Sequence, residues 1–272
     1  MTRPDAPVDR PLETIRAELD RIDERIHELV VRRAGLADQV RRAKTDTGAA
    51  ALRPAREAQM LRRLAAFDGG AMQLVQIWRL WRELIMANAR LQFPFIVDTV
   101  AAHHDLDLWD MGRAHFCFET DMEAHDDSLA ALSRAASGPA RVALLRSADA
   151  TWWPQIASRT AGMRVFTALP MIAENPGSPP SAMVIGDVEL APSGNDVTVV
   201  FMSVNAMPGD LPAAVAPKLA YSIVGPTGTL IGWPGFSDEV PPALESALGG
   251  TAGATVIGIH AAPVSAGAEA RR

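Results

Sequence analysis

One cysteine, Cys117, occurs in 272 residues, so no disulfide can close within the chain. It is expected to be a small buried apolar residue in a protein of a reducing compartment. No apolar run approaches the ~20 residues that a membrane-crossing helix requires. The opening residues MTRPDAPVDRP lack the apolar centre of a secretory signal. These absences predict a soluble, cytoplasmic protein with no membrane partner. Metal-ligand spacing is missing as well. His103, His104 and His115, with Asp105 and Asp107, match no zinc pattern and read as exposed loop residues. No metal and no cofactor are expected.

What is present divides the chain. At 272 residues it exceeds the usual size of one hydrophobic core. Up to Gln92 there are 17 Lys plus Arg against 13 Asp plus Glu, a balance of +4, and the remainder carries −10. The basic residues of the front part alternate with acidic ones and leave no stripe of one sign, which argues against a nucleic-acid partner. The expected organisation is a helical domain over 1–94 and an α/β domain over 95–272.

From Leu12 to Lys44, the residues Ile15, Leu19, Ile22, Ile26, Leu29, Leu36 and Val40 recur at spacings of three and four, which predicts one long amphipathic helix. At ~1.5 Å per residue it spans about 45–50 Å, too long for one small domain to cover. Pro54 is placed to open a second helix. A third carries Leu74, Ile77, Trp78, Trp81, Leu84 and Ile85 and ends near Gln92. Beyond Pro94, RVALLR at 141–146, MRVFTAL at 163–169, VTVVFMSV at 197–204 and ATVIGIH at 254–260 are strand-like. Helical stretches are expected near 126–136, 208–219 and 239–248.

Polar residues interrupt the helical stripes. Arg33 and Lys44 continue the apolar face of the first helix, and their separation of eleven positions returns them to within ~20° of each other. Asn88 and Gln92 continue the stripe of the third helix. One buried polar residue can set register in a bundle. Two cations on one stripe with no acid to answer them instead favour an anionic ligand.

The segments LETIRAELDRIDERIHELVVRRAGLADQVRRAK, RPAREAQML and IWRLWRELIMANARLQ together resemble the all-helical, type II chorismate mutases over residues 12–92. The resemblance implies a three-helix domain that forms an intertwined homodimer and rearranges chorismate to prephenate for phenylalanine and tyrosine synthesis. It also implies a site in which Arg33 and Lys44 of one chain, with Arg16 of the partner chain, hold the carboxylates and ether oxygen. Glu57 takes the ring hydroxyl, Arg56 shapes the site, and Asn88 and Gln92 close it, with Gln92 facing the ether oxygen opposite Lys44. Arg53 and Asn88 stand where many members have Asp and Ser. Spacing supports the two-chain arrangement independently: Arg16 and Lys44 are 28 positions, or about 42 Å of helix, apart.

SAMVIGDVELAPSGNDVTVVFMSV resembles the stretch where the prephenate dehydratase part of bifunctional mutase-dehydratases passes into its ACT region. Ser181, Ala182 and Met183 replace the Thr-Arg-Phe used there, so dehydration is not expected. VGPTGTL at 224–230 reads as a turn, and Trp152 with Trp153 as a packing plug. The rival readings are a catalytically silent, metabolite-binding regulator with the mutase fold and an isochorismate pyruvate-lyase.

Overall fold

The structure, a computed structural model, describes residues 10–43, 52–67, 70–100, 105–158, 162–203, 216–247 and 253–266. The chain divides into two compact units, residues 1–47 and 48–272. That division falls ahead of the second helix, whereas the change from helical to strand-rich sequence falls at 94/95.

In the first unit, helix α1 runs Leu12–Ala43, as its spacing predicts. Salt bridges Arg25–Glu28 at 2.6 Å and Asp38–Arg42 at 2.7 Å link successive turns, worth about 0.2–0.5 kcal/mol each. Along its apolar stripe Leu12, Ile15, Leu19, Ile22, Ile26, Leu29 and Leu36 are each 40–60 % exposed.

The second unit begins with α2 (Pro54–Ala65), whose proline occupies the first turn, and α3 (Leu74–Gln92). Gln73 and Gln76 form a reciprocal box at the start of α3, the Gln73 backbone N–H donating to Gln76 Oε1 at 2.8 Å. The strands are β1 (Ile96–Val100), β2 (Asp121–His125), β3 (Arg141–Arg146), β4 (Arg164–Leu169), β5 (Ile172–Ala173), β6 (Ala182–Gly186), β7 (Asp196–Met202), β8 (Tyr221–Gly225), β9 (Gly228–Pro234), β10 (Ala254–Ala261) and β11 (Val264–Ser265). Nine of them form one mixed sheet in the order β2-β1-β3-β6-β4-β10-β7-β9-β8, and β11 pairs with β5. Pairing is parallel across β2-β1-β3 and at β4-β10. It is antiparallel at β3-β6-β4 and through β10-β7-β9-β8.

Helices α4 (Leu106–Phe116), α5 (Ser128–Ala135), α6 (Trp153–Ala157) and α7 (Pro242–Ala247) complete this unit. Asp105 and Asp127 cap α4 and α5, accepting from the backbone N–H groups of Leu108 at 3.2 Å and Ala130 at 2.8 Å. β3, β6 and β7 are buried along nearly their whole length, as continuous apolar runs require when both faces of a sheet are covered. The four strand-like segments correspond to β3, β4, β7 and β10, and two of the three expected helices to α5 and α7. The helix expected at 208–219 lies largely outside the described residues and ends in a 3-10 turn, Ala216–Lys218. VGPTGTL turns between β8 and β9. Both Trp152 and Trp153 are fully buried, their indole N–H groups donating to the carbonyls of Arg146 and Ser147 at 2.9 and 3.1 Å.

Helices α2 and α3 pack on this unit rather than standing apart. Leu61, Leu74 and Trp78 form a cluster with Met171, Ile172 and Val264. Arg62 donates to the carbonyls of Ser193 and Asn195 at 2.8 and 2.6 Å. The face of α3 that becomes fully buried is Leu74, Trp78, Arg82, Met86 and Ala89. Of the stripe expected from the sequence, Leu74 and Trp78 belong to this buried face, whereas Ile77, Trp81, Leu84 and Ile85 lie toward one side of it and are only half-covered. A charged residue, Arg82, sits in the middle of the deeper face and hides it from a hydrophobicity pattern.

Candidate functional site

Of the expected site residues, Arg16 and Arg33 lie on α1 in the first unit, and Arg56, Glu57, Asn88 and Gln92 lie in the second. Lys44 lies outside the described residues. Arg16 is exposed and Arg33 half-buried, and burial lowers the Arg33 guanidinium pKa. The two are 17 positions apart, about 25 Å along a helix, so they do not meet around one small molecule within a chain.

On α2, Arg56 faces solvent, while Glu57 turns inward and is buried. Its Oε2 forms an ion pair with Nη1 of Arg82, itself 2 % exposed. Arg82 Nε donates to the His115 carbonyl at 2.7 Å, and the guanidinium stands 5.7 Å from the Trp78 ring centre. Among the described residues, Arg82 Nη2 is buried without a hydrogen-bond partner. The chain therefore gives Glu57 a structural partner that sequence reading missed. A carboxylate has two oxygens, and this pairing uses Oε2. The one available signal was the spacing Trp78, Arg82, Met86, which places Arg82 among apolar neighbours one turn away on each side.

On α3, Asn88 is half-buried and donates from Nδ2 to the Leu84 carbonyl at 2.7 Å, whereas Gln92 is exposed. Asn88 thus lies on the half-covered face of α3, with Gln92 at its end. Within one chain the deeper burial on α3 goes to the neighbouring face.

The five residues weighed as metal ligands are only partly described. His103 and His104 lie outside the described residues. His115 is buried on α4 rather than exposed in a loop, and burial holds its imidazole pKa well below the usual value, keeping it neutral. Asp105 is engaged by Arg146, which lowers its pKa. A different group, Asp98, Glu123 and His125, brings donor atoms within 4.8 Å of one another. Arg141 already occupies that cluster, donating to both oxygens of fully buried Asp98 at 2.8 and 2.5 Å and pairing with Glu123. Its hydrogen bond to Glu123, and after that its charge, lowers the Glu123 pKa, and the same fixed charge opposes a second cation. This is an ion network that ties β1, β2 and β3 together. Cys117 is buried, and burial followed by Glu83 pushes its thiol up to about 12, so it is no nucleophile.

No helix among the described residues is long and apolar enough to cross a membrane. In comparisons with known proteins, a bifunctional chorismate mutase/prephenate dehydratase of Pseudomonas aeruginosa is 34 % identical over 91 residues, which is 32 % of this chain. The chain spans a quarter of that relative's length. A prephenate dehydratase structure from Streptococcus mutans aligns over 63 % of this chain and 99 % of its own, at 10 % identity and a TM-score of 0.36. That likeness is too loose to argue from. Residues 15–93, which hold most of α1 and all of α2 and α3, match the family described as chorismate mutase type II.

Proposed function

We propose that residues 12–92 act as a chorismate mutase, assembled as a homodimer in which each α1 contributes to both sites. The observation that carries this reading is the open apolar surface of α1, on which the half-buried cation Arg33 sits. Seven Leu and Ile side chains at about half exposure stand to gain roughly 5–10 kcal/mol when covered. A second copy laid antiparallel covers them and brings its Arg16 toward Arg33 and Lys44. The half-covered face of α3, with Asn88 and Gln92, supplies amide groups from the same helix set.

The rearrangement is unimolecular, so such a site works by orientation and electrostatics. Arginine forks binding both carboxylates select the compact reactive conformer, an effect drawn from the ~7–11 kcal/mol available to positioning. Lys44 and Gln92 stabilise charge on the ether oxygen as its bond breaks, where one fixed donor is worth about 2.7–4 kcal/mol. Lys44→Ala or Arg33→Ala should therefore lower chorismate consumption by purified full-length protein at least a hundredfold with helicity unchanged. Near-parental turnover in either variant refutes the site.

The burial of Glu57 against Arg82 favours a second reading, a silent binder that keeps the mutase fold. In that case the parent protein consumes no chorismate, although chorismate or a related metabolite still protects it against thermal unfolding.

A further inference from the structure

A cavity of about 500 Å³ opens in the second unit beside the loop that joins β5 to β6. Three features of its wall define what it can hold. Apolar side chains such as Ile172 and Val197 line it, together with Tyr221 and His260, which lie stacked with ring centres 5.9 Å apart. His260 Nδ1 is 2.9 Å from the Ala261 carbonyl, which can only accept, so Nδ1 carries the proton and Nε2 receives the Tyr221 hydroxyl at 2.8 Å. The phenol has then spent its proton and presents an acceptor lone pair.

The wall also offers many acceptors, and beside the Tyr221–His260 pair its side-chain donors are the neutral Asn175 amide and the Ser178 and Ser181 hydroxyls. Pro170, Pro176, Pro179, Pro180 and Pro263 line it, and proline contributes a backbone carbonyl but no N–H. Moreover, no lysine or arginine is among the described residues that line the cavity, whereas Glu174 stands at its exposed rim. A carboxylate entering here loses water, finds neutral donors but no cation among the described lining residues, and meets a like charge at Glu174. An ammonium meets acceptors and a carboxylate.

We propose that this cavity is a binding site for a small apolar amine, whose hydrocarbon body fills the pocket and whose ammonium is held by Glu174 and acceptor oxygens of the wall. Its size fits the 300–1,000 Å³ usual for small-molecule sites. Burial holds His260 at about 4 and raises the Tyr221 phenol, so both stay neutral and act as a binding wall rather than a proton-transfer pair. Gly232 preserves the arrangement, since a Cβ there would lie 2.4 Å from the Tyr221 ring. None of this rests on mutase activity.

Tyr221 is the single tyrosine of the chain, so full-length protein labelled with 13Cζ-tyrosine gives one resonance from the cavity wall. Phenethylamine should shift that resonance saturably and bind at least tenfold more tightly than 3-phenylpropionate, which has a similar body and the opposite charge. In titration calorimetry, Glu174→Gln should weaken phenethylamine at least fivefold, and the exposed position of Glu174 makes this a variant that folds. An unmoved resonance, equal affinity for the two compounds, or parental affinity in Glu174→Gln each overturns the proposal.

Discussion

Replacing Arg82 by methionine removes the partner of Glu57 while roughly keeping the volume of the side chain that packs beside Trp78. Glu57 is then a buried carboxylate without its cation, and the His115 carbonyl loses the donor now 2.7 Å away. Breaking a buried pair from one side costs about 3–5 kcal/mol. For a unit the size of residues 48–272, at roughly 2–4 °C per kcal/mol, Tm should fall by about 6–20 °C. Circular dichroism melts at pH 7 measure this directly. Glu57→Gln combined with Arg82→Met should recover most of the loss, because the uncompensated charge is gone and the remaining groups are neutral. If Arg82→Met melts within 1 °C of the parent, or if the double variant is no more stable than the single one, the buried pair between α2 and α3 does not carry the stability assigned to it.

On α1, Ile22→Lys places a charge in the middle of the exposed apolar stripe. If the proposed dimer forms, it should become monomeric in light scattering and mutase turnover should fall at least tenfold, and a dimer with parental turnover contradicts that assembly. His260 bears on pH. Its pKa lies near 4 in the fold against an ordinary 6.5, so the unfolded chain binds the proton first as pH falls. The stability it contributes is complete above about pH 6.5 and is lost toward pH 4, a total of about 3 kcal/mol. Urea melts should show His260→Gln reducing the dependence of stability on pH across that window; an unchanged slope places the dependence on other groups.

Much of the chain could be read from local pattern alone. The three-and-four spacing along α1, the proline that opens α2, and runs such as RVALLR each act within one element, where periods of 3.6 and 2 leave their mark on the residues themselves. Cys117 as a buried apolar residue and Trp152 with Trp153 as a plug follow from residue chemistry in the same way. The buried face of α3 does not, because two apolar stripes overlap there and the deeper one contains an arginine. Its pairing with Glu57 spans 25 positions, that of Asp98 with Arg141 spans 43, and that of Tyr221 with His260 spans 39. No local period encodes such distances. Only the tertiary structure, by interleaving strands in the order β2-β1-β3-β6-β4-β10-β7-β9-β8 and packing α2 and α3 on that unit, decides which polar side chains meet inside it. The physical reason is that burial makes an unpaired charge costly, and whether a charge is buried depends on which distant segment covers it.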